Sequence, residues 1–330
     1  MANKKVTIRD VAKQSGVSIA TVSQILNNNQ EKFSPKTVAK VMEAKESLNY
    51  EPDYFARRMI MKKSKTIGVL LPDITNPFFS MLLSGIEKSL YQEKYVMMLC
   101  NADLDATREM EYLEELSRRG VDGFIIATSA ISNQMINETL RKKALPFIVL
   151  DQKKAEGFSD AVLTEDYLGG QLAAEHLANL GHQKVAILMP EEASMNIRTR
   201  LAGFQSIFPE ARIIYSELSK VAGRDAARRV LEEDLTGIFT TSDEIAIGLY
   251  LGLKEAGKKI PRDYSIVGYD NTEMSEFVTP PLTTVAQPIF ELGQQAAELL
   301  LERIEYPEKK WEEKTLPVHL ITRLSTAPLK

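Results

Sequence analysis

Polar side chains able to bind a ligand follow several short apolar segments of this 330-residue chain. Asp151 comes directly after Pro146-Phe-Ile-Val-Leu150, and Asp270 ends a second such run. The candidates are Asn76, Phe78, Phe79, Asp151, Arg200, Ser242, Tyr269, Asp270 and Gln287. Carboxylates, amides, hydroxyls and an arginine can pair with the hydroxyl groups of a neutral polyol, and aromatic rings can cover its apolar face. These residue types indicate a site for a small sugar.

Motifs of enzyme chemistry are incomplete in this chain. Gly252-Leu-Lys-Glu-Ala-Gly257-Lys258 has the spacing of a phosphate loop, but Lys259 stands where Ser or Thr is required. The three histidines lack the spacing of a zinc site, and no Gly-x-Ser-x-Gly elbow occurs. We therefore expect no enzyme activity, no metal and no cofactor.

The candidate ligand residues stand near the ends of predicted parallel strands. Short apolar runs alternate with helical patterns in two series, 66–71, 95–100, 123–127 and 146–150, then 184–189, 211–215, 237–241 and 265–269. The second series alternates with helices near 167–180, 198–207, 223–233 and 243–256, and a final strand is predicted over 315–324. Two doubly wound α/β units predict two Rossmann-like lobes with a ligand cleft between them.

The first 50 residues predict a small all-α head. Thr7 is followed by Asp10 as in a capping box, Gly16 ends the first helix, and Ser18 and Ser34 can cap two more. Two short helices joined by a glycine turn and backed by a third form a helix-turn-helix, whose second helix enters the DNA major groove. From periodicity alone, a three-helix bundle that binds protein is the alternative.

Charge divides the chain at the same place. Residues 1–64 hold 12 Lys and Arg against 6 Asp and Glu, a net charge of +6, whereas the whole chain is −4. A basic head on an acidic body favours an anionic partner for the head, although charge alone does not distinguish DNA binding from an ordinary basic surface.

Composition and the N-terminus indicate the compartment. No apolar run reaches the roughly 18 residues of a membrane span, and no signal-peptide pattern follows Met1. Cys100 is the single cysteine, so no disulfide framework or thiolate metal site is expected. These features predict a cytoplasmic protein without membrane contact.

The segment Thr7-Ile-Arg-Asp-Val-Ala-Lys-Gln-Ser-Gly-Val-Ser-Ile-Ala-Thr-Val-Ser-Gln-Ile-Leu-Asn27 closely resembles the opening of the lactose-repressor (LacI) family of bacterial transcription regulators. The resemblance continues through Ser34-Pro-Lys-Thr37, Leu48-Asn-Tyr-Glu-Pro52 and Ala56-Arg-Arg-Met59, and it extends over the whole chain. It implies contacts to double-stranded operator DNA from Thr7, Ser18, Ile19, Ala20, Thr21, Ser23, Gln24, Asn27, Ala56 and Met59.

Three positions of the predicted second helix decide which bases the head reads. Gln24 stands where the family usually has Arg, and glutamine pairs with adenine where arginine suits guanine. Ile19 and Ala20 suit a thymine methyl. Residues 51–64 resemble the family's hinge helix and linker, with Met59 at the position of the apolar wedge that kinks DNA. An ordinary basic linker is the alternative for this segment.

The resemblance gives the body, residues 65–330, the fold of the periplasmic sugar-binding proteins with three crossings between lobes. The N-lobe is expected over about 65–160 and 290–318, and the C-lobe over about 161–289 and 319–330. Asn76-Pro-Phe-Phe79 resembles the ribose-binding protein and the ribose repressors. Gln152 departs from the arginine of the ribose binders, which weakens a ribose assignment.

Other cleft positions match the family in the same way. Arg200 falls on its sugar-clamping arginine, Asp151 and Asp270 on ligand aspartates, and Gln287 on a late ligand glutamine, whereas Ser242 replaces a common Asn. For each candidate ligand residue, Asn76 and the two phenylalanines included, a helix cap, a surface ion pair or core packing is the alternative reading.

The resemblance implies a homodimeric repressor whose operator affinity is controlled by a sugar bound between the lobes. Ribose is the first expectation, ahead of sucrose, fructose or a sugar phosphate. One alternative is a global catabolite regulator that uses a phosphorylated carrier protein as co-effector. Another is an enzyme or a free sugar-binding protein with the same body, which the head disfavours.

Overall fold

The computed structural model describes residues 6–27, 29–51, 63–128, 130–152 and 154–329. The chain forms two compact units, Met1–Ser64 and Lys65–Lys330. No helix in the described ranges is long and apolar enough to cross a membrane.

Within its described residues, the first unit contains three α-helices, α1 (Ile8–Ser15), α2 (Ile19–Leu26) and α3 (Pro35–Ser47), and a 3-10 turn at Gln30–Lys32. The amide and hydroxyl of Thr7 both donate to the Asp10 carboxylate, at 2.9 and 2.7 Å. Gly16 ends α1 with φ 70°, a conformation that favours glycine. The Ser18 hydroxyl accepts from Thr21 N at 3.1 Å to begin α2. The predicted helix-turn-helix is confirmed.

A small apolar core holds these three helices together. Val11 of α1, Val22 and Ile25 of α2, and Val41 of α3 have no exposed surface. Since one face of α2 is committed to this core, its opposite face is left for solvent or a partner.

The helices described in the second unit are α4 (Pro77–Gln92), α5 (Ala106–Arg119), α6 (Asn133–Arg141), α7 (Asp166–Asn179), α8 (Met195–Gln205), α9 (Lys220–Glu232), α10 (Asp243–Glu255), α11 (Met274–Phe277) and α12 (Ile289–Glu305). Its strands are β1 (Thr66–Leu71), β2 (Val96–Asn101), β3 (Gly123–Ile126), β4 (Phe147–Leu150), β5 (Asp160–Thr164), β6 (Val185–Met189), β7 (Arg212–Tyr215), β8 (Gly237–Thr240), β9 (Ser265–Asp270), β10 (Thr283–Ala286), β11 (Glu313–Leu316) and β12 (His319–Ile321).

These strands form two six-stranded sheets. The N-lobe sheet has the order β11-β5-β4-β3-β1-β2 and is parallel, and the C-lobe sheet has the order β12-β10-β9-β8-β6-β7 with only β12 antiparallel. Buried apolar clusters cover the faces of each sheet. The two doubly wound lobes expected from the sequence are present, and the chain crosses between them after β5, β10 and β11.

Two details of the predicted body are wrong. β5 was not recognised as a strand, and because it belongs to the N-lobe sheet, the first crossing follows Thr164 instead of residue 160. A charged residue, Asp160, begins β5 and interrupts its apolar pattern. The Asp160 carboxylate is buried because its Oδ2 pairs with Arg303 Nε at 2.9 Å. The predicted strand over 315–324 is two strands in different sheets, separated at Pro317, which cannot donate to a ladder.

Close helix pairing positions the cleft side of each lobe. A Cβ on Gly170 of α7 would lie 1.9 Å from the carbonyl oxygen of Arg200 on α8. A Cβ on Gly85 of α4 would lie 2.0 Å from the carbonyl oxygen of Phe290 on α12. Glycine at these two positions therefore lets the helix backbones touch, and it fixes where α8 carries its polar residues.

Candidate functional site

The predicted DNA-reading residues lie at the free face and N-terminal end of α2. Ser18, Ile19, Ala20 and Gln24 are exposed, and Ile19 keeps 46% of its surface in solvent. Thr21, Ser23 and Asn27 are half-buried, and Thr7 is exposed at the start of α1. Ile19 is therefore accessible to a partner at the N-terminal end of α2. Ala56 and Met59 lie outside the described residues.

A chamber lies between the lobes, at the carboxyl ends of both sheets. The N-lobe contributes Asn76, Phe78, Phe79, Asp151 and Gln152, and the C-lobe contributes Ser194, Asn196, Ile197, Arg200, Leu218, Thr241, Ser242 and Asp270. Seven of the nine predicted ligand residues therefore line one chamber. The other two, Tyr269 and Gln287, lie behind it.

Arg200 is held rigidly on the C-lobe side of the chamber. Its Nε donates to Asp166 Oδ1 at 2.8 Å and its Nη1 donates to the Thr241 carbonyl at 2.9 Å. The guanidinium carbon lies 3.8 Å from the centre of the Tyr269 ring, and the Tyr269 hydroxyl donates to Asp166 at 3.2 Å. Tyr269 thus orients the arginine and does not itself reach the chamber.

Asp151 faces Arg200 from the N-lobe. It adopts φ 52° after β4, an uncommon conformation for a residue with a side chain. Its Oδ2 accepts from Asn196 Nδ2 at 2.7 Å, whereas its buried Oδ1 has no hydrogen-bond donor among the described residues and lies 3.9 Å from Arg200 Nη2. Burial and the nearby Asp166 charge raise the pKa of Asp151 to about 7, although Arg200 opposes the shift.

Asp270 is connected to the lobe crossings. Its Oδ1 accepts from Gln287 Nε2 at 2.7 Å, and Gln287 Oε1 accepts from the Thr164 hydroxyl at 3.0 Å. Burial raises the pKa of Asp270 well above its usual value, and Arg200 opposes this shift. Gln287 therefore positions a carboxylate of the chamber.

The cap alternative is correct for Asn76 and Ser242, yet both residues also line the chamber. Asn76 Oδ1 accepts from Phe78 N at 2.9 Å at the start of α4, and Ser242 Oγ accepts from Ile245 N at 3.3 Å at the start of α10. Phe78 and Phe79 pack edge to face with ring centres 5.1 Å apart. Both rings are buried and border the chamber, so they can cover an apolar sugar face.

Sequence reasoning missed Asn196 and Asp166. The predicted helix began at residue 198, whereas α8 begins at Met195 and carries Asn196 in its first turn. Asp166 follows β5, the strand that was not recognised. A serine two residues before Asn196, soon after an apolar run, was the available signal for an earlier helix start.

The outer part of the cleft is acidic. Asp73, Asp103, Glu192 and Glu217 line it beside Pro72, Leu104 and Pro190. Among the described residues that line the chamber and this outer cleft, Arg200 is the only basic one, and it is paired with Asp166. A dianionic ligand would have to enter without a free cation to neutralise it.

A helix-turn-helix head and a two-lobed body of the periplasmic-binding type define a DNA-binding regulator controlled by a small effector. Residues 7–53 match the family described as bacterial regulatory proteins, lacI family, and residues 174–326 match the periplasmic binding protein-like domain. The chain belongs to the lacI family of bacterial regulatory proteins, and it is a DNA-binding repressor with a sugar-binding effector body.

Similar proteins cover 80 to 98% of this chain. The ribose operon repressor of Escherichia coli (strain K12) is 34% identical over 91% of this chain and 94% of its own length. A LacI family regulator of Enterococcus faecalis V583, solved with bound ribose, is 64% identical over 80% of this chain and all of that chain, with a TM-score of 0.77. The lac repressor dimer bound to operator and the anti-inducer ONPF is 28% identical over 98% of this chain and all of that chain, with a TM-score of 0.88.

Proposed function

We propose that the protein is a ribose-responsive transcription repressor. Its head binds a specific operator, and ribose in the chamber between the lobes lowers its affinity for that operator. The chain acts as a regulator and not as an enzyme. Because its target is chromosomal DNA, we expect it to work in the cytoplasm.

The observation that carries this proposal is the buried Oδ1 of Asp151, which accepts no hydrogen bond among the described residues. A buried carboxylate oxygen without a donor costs free energy, and a ligand hydroxyl at that position would remove the cost. Arg200 and Asp270 border the same chamber and offer a donor and an acceptor beside it. The relative with bound ribose, 64% identical to this chain, supports ribose as the ligand.

Charge favours the free sugar over its phosphate ester. Asp151, Asp166 and Asp270 are buried around Arg200, and the outer cleft adds further carboxylates. A phosphate group in this surrounding would lose its hydration without gaining a free cation, so we propose that the effector is uncharged.

Control of operator binding would follow from movement of the lobes. A ligand shifts an equilibrium between two arrangements by its difference in affinity for them. We infer that ribose favours the arrangement of the lobes in which the chain binds operator DNA less tightly. Reciprocity then requires operator DNA to weaken ribose binding by the same factor.

We further propose a homodimer on a pseudo-palindromic operator. Exposed apolar side chains occur on both lobes, Tyr91, Val96 and Leu99 on the N-lobe and Val221, Leu251 and Phe277 on the C-lobe. α9 and α10 touch where a Cβ on Gly248 would lie 2.0 Å from the Lys220 carbonyl, so Val221 and Leu251 stand near one seam. The operator-bound lac repressor dimer supports this assembly.

Sedimentation velocity tests the dimer. We expect the wild-type chain to sediment as a dimer and Val221→Glu with Leu251→Glu to sediment as a monomer, because two buried charges would oppose association. Ile207→Glu, at another exposed apolar residue of the C-lobe, is the matched control and should remain dimeric. A monomeric wild-type chain at micromolar concentration would contradict the proposal.

Calorimetric titration of the full chain tests the ligand. We expect heat from ribose and none from ribose 5-phosphate at the same concentration. In Asp151→Leu, ribose binding should weaken at least tenfold because the free acceptor is gone. Saturable binding of the phosphate ester with equal affinity would overturn the proposed selectivity.

A further inference from the structure

A short side-chain hydrogen bond joins the two lobes across the chamber. Asp151 follows β4 of the N-lobe, and Asn196 lies in the first turn of α8 of the C-lobe. Asn196 Nδ2 donates to Asp151 Oδ2 at 2.7 Å, and each residue keeps only 4% of its surface exposed. The bond lies in the wall of the chamber.

The Asn196 amide is oriented for this bond. Its Oδ1 accepts from the Ser194 hydroxyl, which leaves the Nδ2 hydrogens to point toward Asp151. The two carboxylate oxygens of Asp151 consequently have different surroundings. Oδ2 accepts from the opposite lobe, and Oδ1 is buried without a hydrogen-bond donor among the described residues.

Charged groups surround the pair on every side. Asp166 at the start of α7, Arg200 on α8 and Asp270 at the end of β9 all act on Asp151 or border the same chamber. Arg200 is closest to Asp166 at 2.8 Å and reaches Asp151 only at 3.9 Å. The neutral amide of Asn196 is therefore the group that makes a short contact with Asp151 across the cleft without adding charge.

We propose that Asn196 is a positioning residue for the sugar, which holds Asp151 in its binding orientation and couples sugar binding to closure of the lobes. Asn196 acts through Asp151 and does not itself hydrogen-bond to the sugar. The closed arrangement then presents Asp151 Oδ1 to a ligand hydroxyl, and opening breaks the bond and frees the Asp151 side chain. This inference rests on the proposed function for the identity of the ligand.

Asn196→Asp tests this inference, because it keeps the shape of the side chain and replaces the donor by a second carboxylate. At pH 8 the two carboxylates repel, so ribose affinity should fall at least tenfold relative to wild type. At pH 5.5 one shared proton restores a hydrogen bond, and the ratio of wild-type to variant affinity should return to within about threefold. Asn179→Asp, at an exposed asparagine of the same lobe, should show neither effect.

A second variant separates positioning from fold stability. Asp151→Asn combined with Asn196→Asp reverses donor and acceptor, so closure should be regained while ribose affinity stays low, since the carboxylate proposed as the acceptor for the sugar is then a neutral amide. Closure is followed as the radius of gyration in X-ray scattering, with and without ribose, and thermal melting reports the fold. The reversed pair should scatter like wild type, whereas Asn196→Asp at pH 8 should be more expanded.

The outcomes can be told apart. Failure of the wild-type chain to bind ribose would contradict the proposed function. An expanded Asn196→Asp variant at pH 8 that becomes as compact as wild type at pH 5.5 would still support the hydrogen bond between Asp151 and Asn196 as the contact that closes the lobes. Loss of affinity that is the same at both pH values, together with a lower melting temperature, would assign Asn196 a purely structural role. Unchanged affinity and scattering in Asn196→Asp would also overturn the inference.

Discussion

Gln287 donates through Nε2 to Asp270 Oδ1 at 2.7 Å, and the same side chain accepts from Thr164 at 3.0 Å. Thr164 ends β5 and Gln287 follows β10, so both stand where the chain crosses between lobes. A carboxylate of the chamber is therefore hydrogen-bonded directly to two crossing segments. A ligand that engages Asp270 acts on the part of the body about which the lobes would move.

Gln287→Leu should weaken ribose binding. The leucine removes the donor and leaves Asp270 Oδ1 buried without it, a cost of about 1–3 kcal/mol, so affinity should fall roughly 5- to 150-fold. Calorimetric titration measures the change, with Gln134→Leu on the exposed face of α6 as the control. Unchanged ribose affinity in Gln287→Leu would show that this hydrogen bond does not prepare the site.

Gly170→Ala should damage the chamber through helix packing. The new Cβ would lie 1.9 Å from the Arg200 carbonyl, so α8 must move away from α7 and carry Arg200 and Asn196 with it. Overpacking of this kind costs about 1–3 kcal/mol, and ribose affinity should drop as well.

Gly85→Ala provides the matched comparison, because its Cβ would lie 2.0 Å from the Phe290 carbonyl in the other lobe. Melting temperatures should fall in both variants, and ribose affinity should fall further in Gly170→Ala, because its new Cβ meets the backbone of Arg200 itself, whereas Gly85 lies six residues from Phe79 on α4. Equal loss of binding in both would mean that destabilisation alone explains the effect.

Much of this architecture could be predicted from the sequence. Most strands were predicted from apolar runs, because a strand that is buried on both faces is apolar at nearly every position. The cap residues Ser18 and Ser34 predicted where the helices α2 and α3 of the head begin. β5 escaped because Asp160 is a buried charge whose partner, Arg303, lies 143 residues away. Asn196 was not predicted as a site residue for a similar reason. Its proposed role depends on a contact with Asp151 in the other lobe, and the sequence around Asn196 does not indicate that contact.

Asp243 should make the stability of the body depend on pH. Burial raises its pKa to about 7, although the hydroxyls of Thr284 and Thr272 oppose the shift. A carboxyl whose folded pKa is raised contributes stability that is present below about pH 4, its unfolded pKa, and is lost as pH rises through about 7. The free energy of urea unfolding, wild type minus Asp243→Asn, should therefore decrease between pH 5 and pH 8. A difference that stays constant or grows over this range would contradict the assignment.

Gln24 should set the base preference of the head. It lies exposed on α2, and a bidentate pair with adenine is worth about 1–3 kcal/mol against the wrong base. Gln24→Arg should shift the preferred base at one position of each half-site from adenine to guanine, and Gln24→Ala should reduce discrimination there. Fluorescence anisotropy with operator variants at fixed salt measures this. The same base preference in all three proteins would place Gln24 away from the base edges.

The most direct test of the account is binding of the full chain to a fluorescently labelled family-type palindrome, at fixed salt, with ribose added in increasing amounts. We predict specific, salt-sensitive binding that ribose releases and ribose 5-phosphate leaves intact. Operator binding indifferent to ribose would contradict the central claim and favour a protein co-effector, and the absence of specific binding would contradict the proposed repressor function itself.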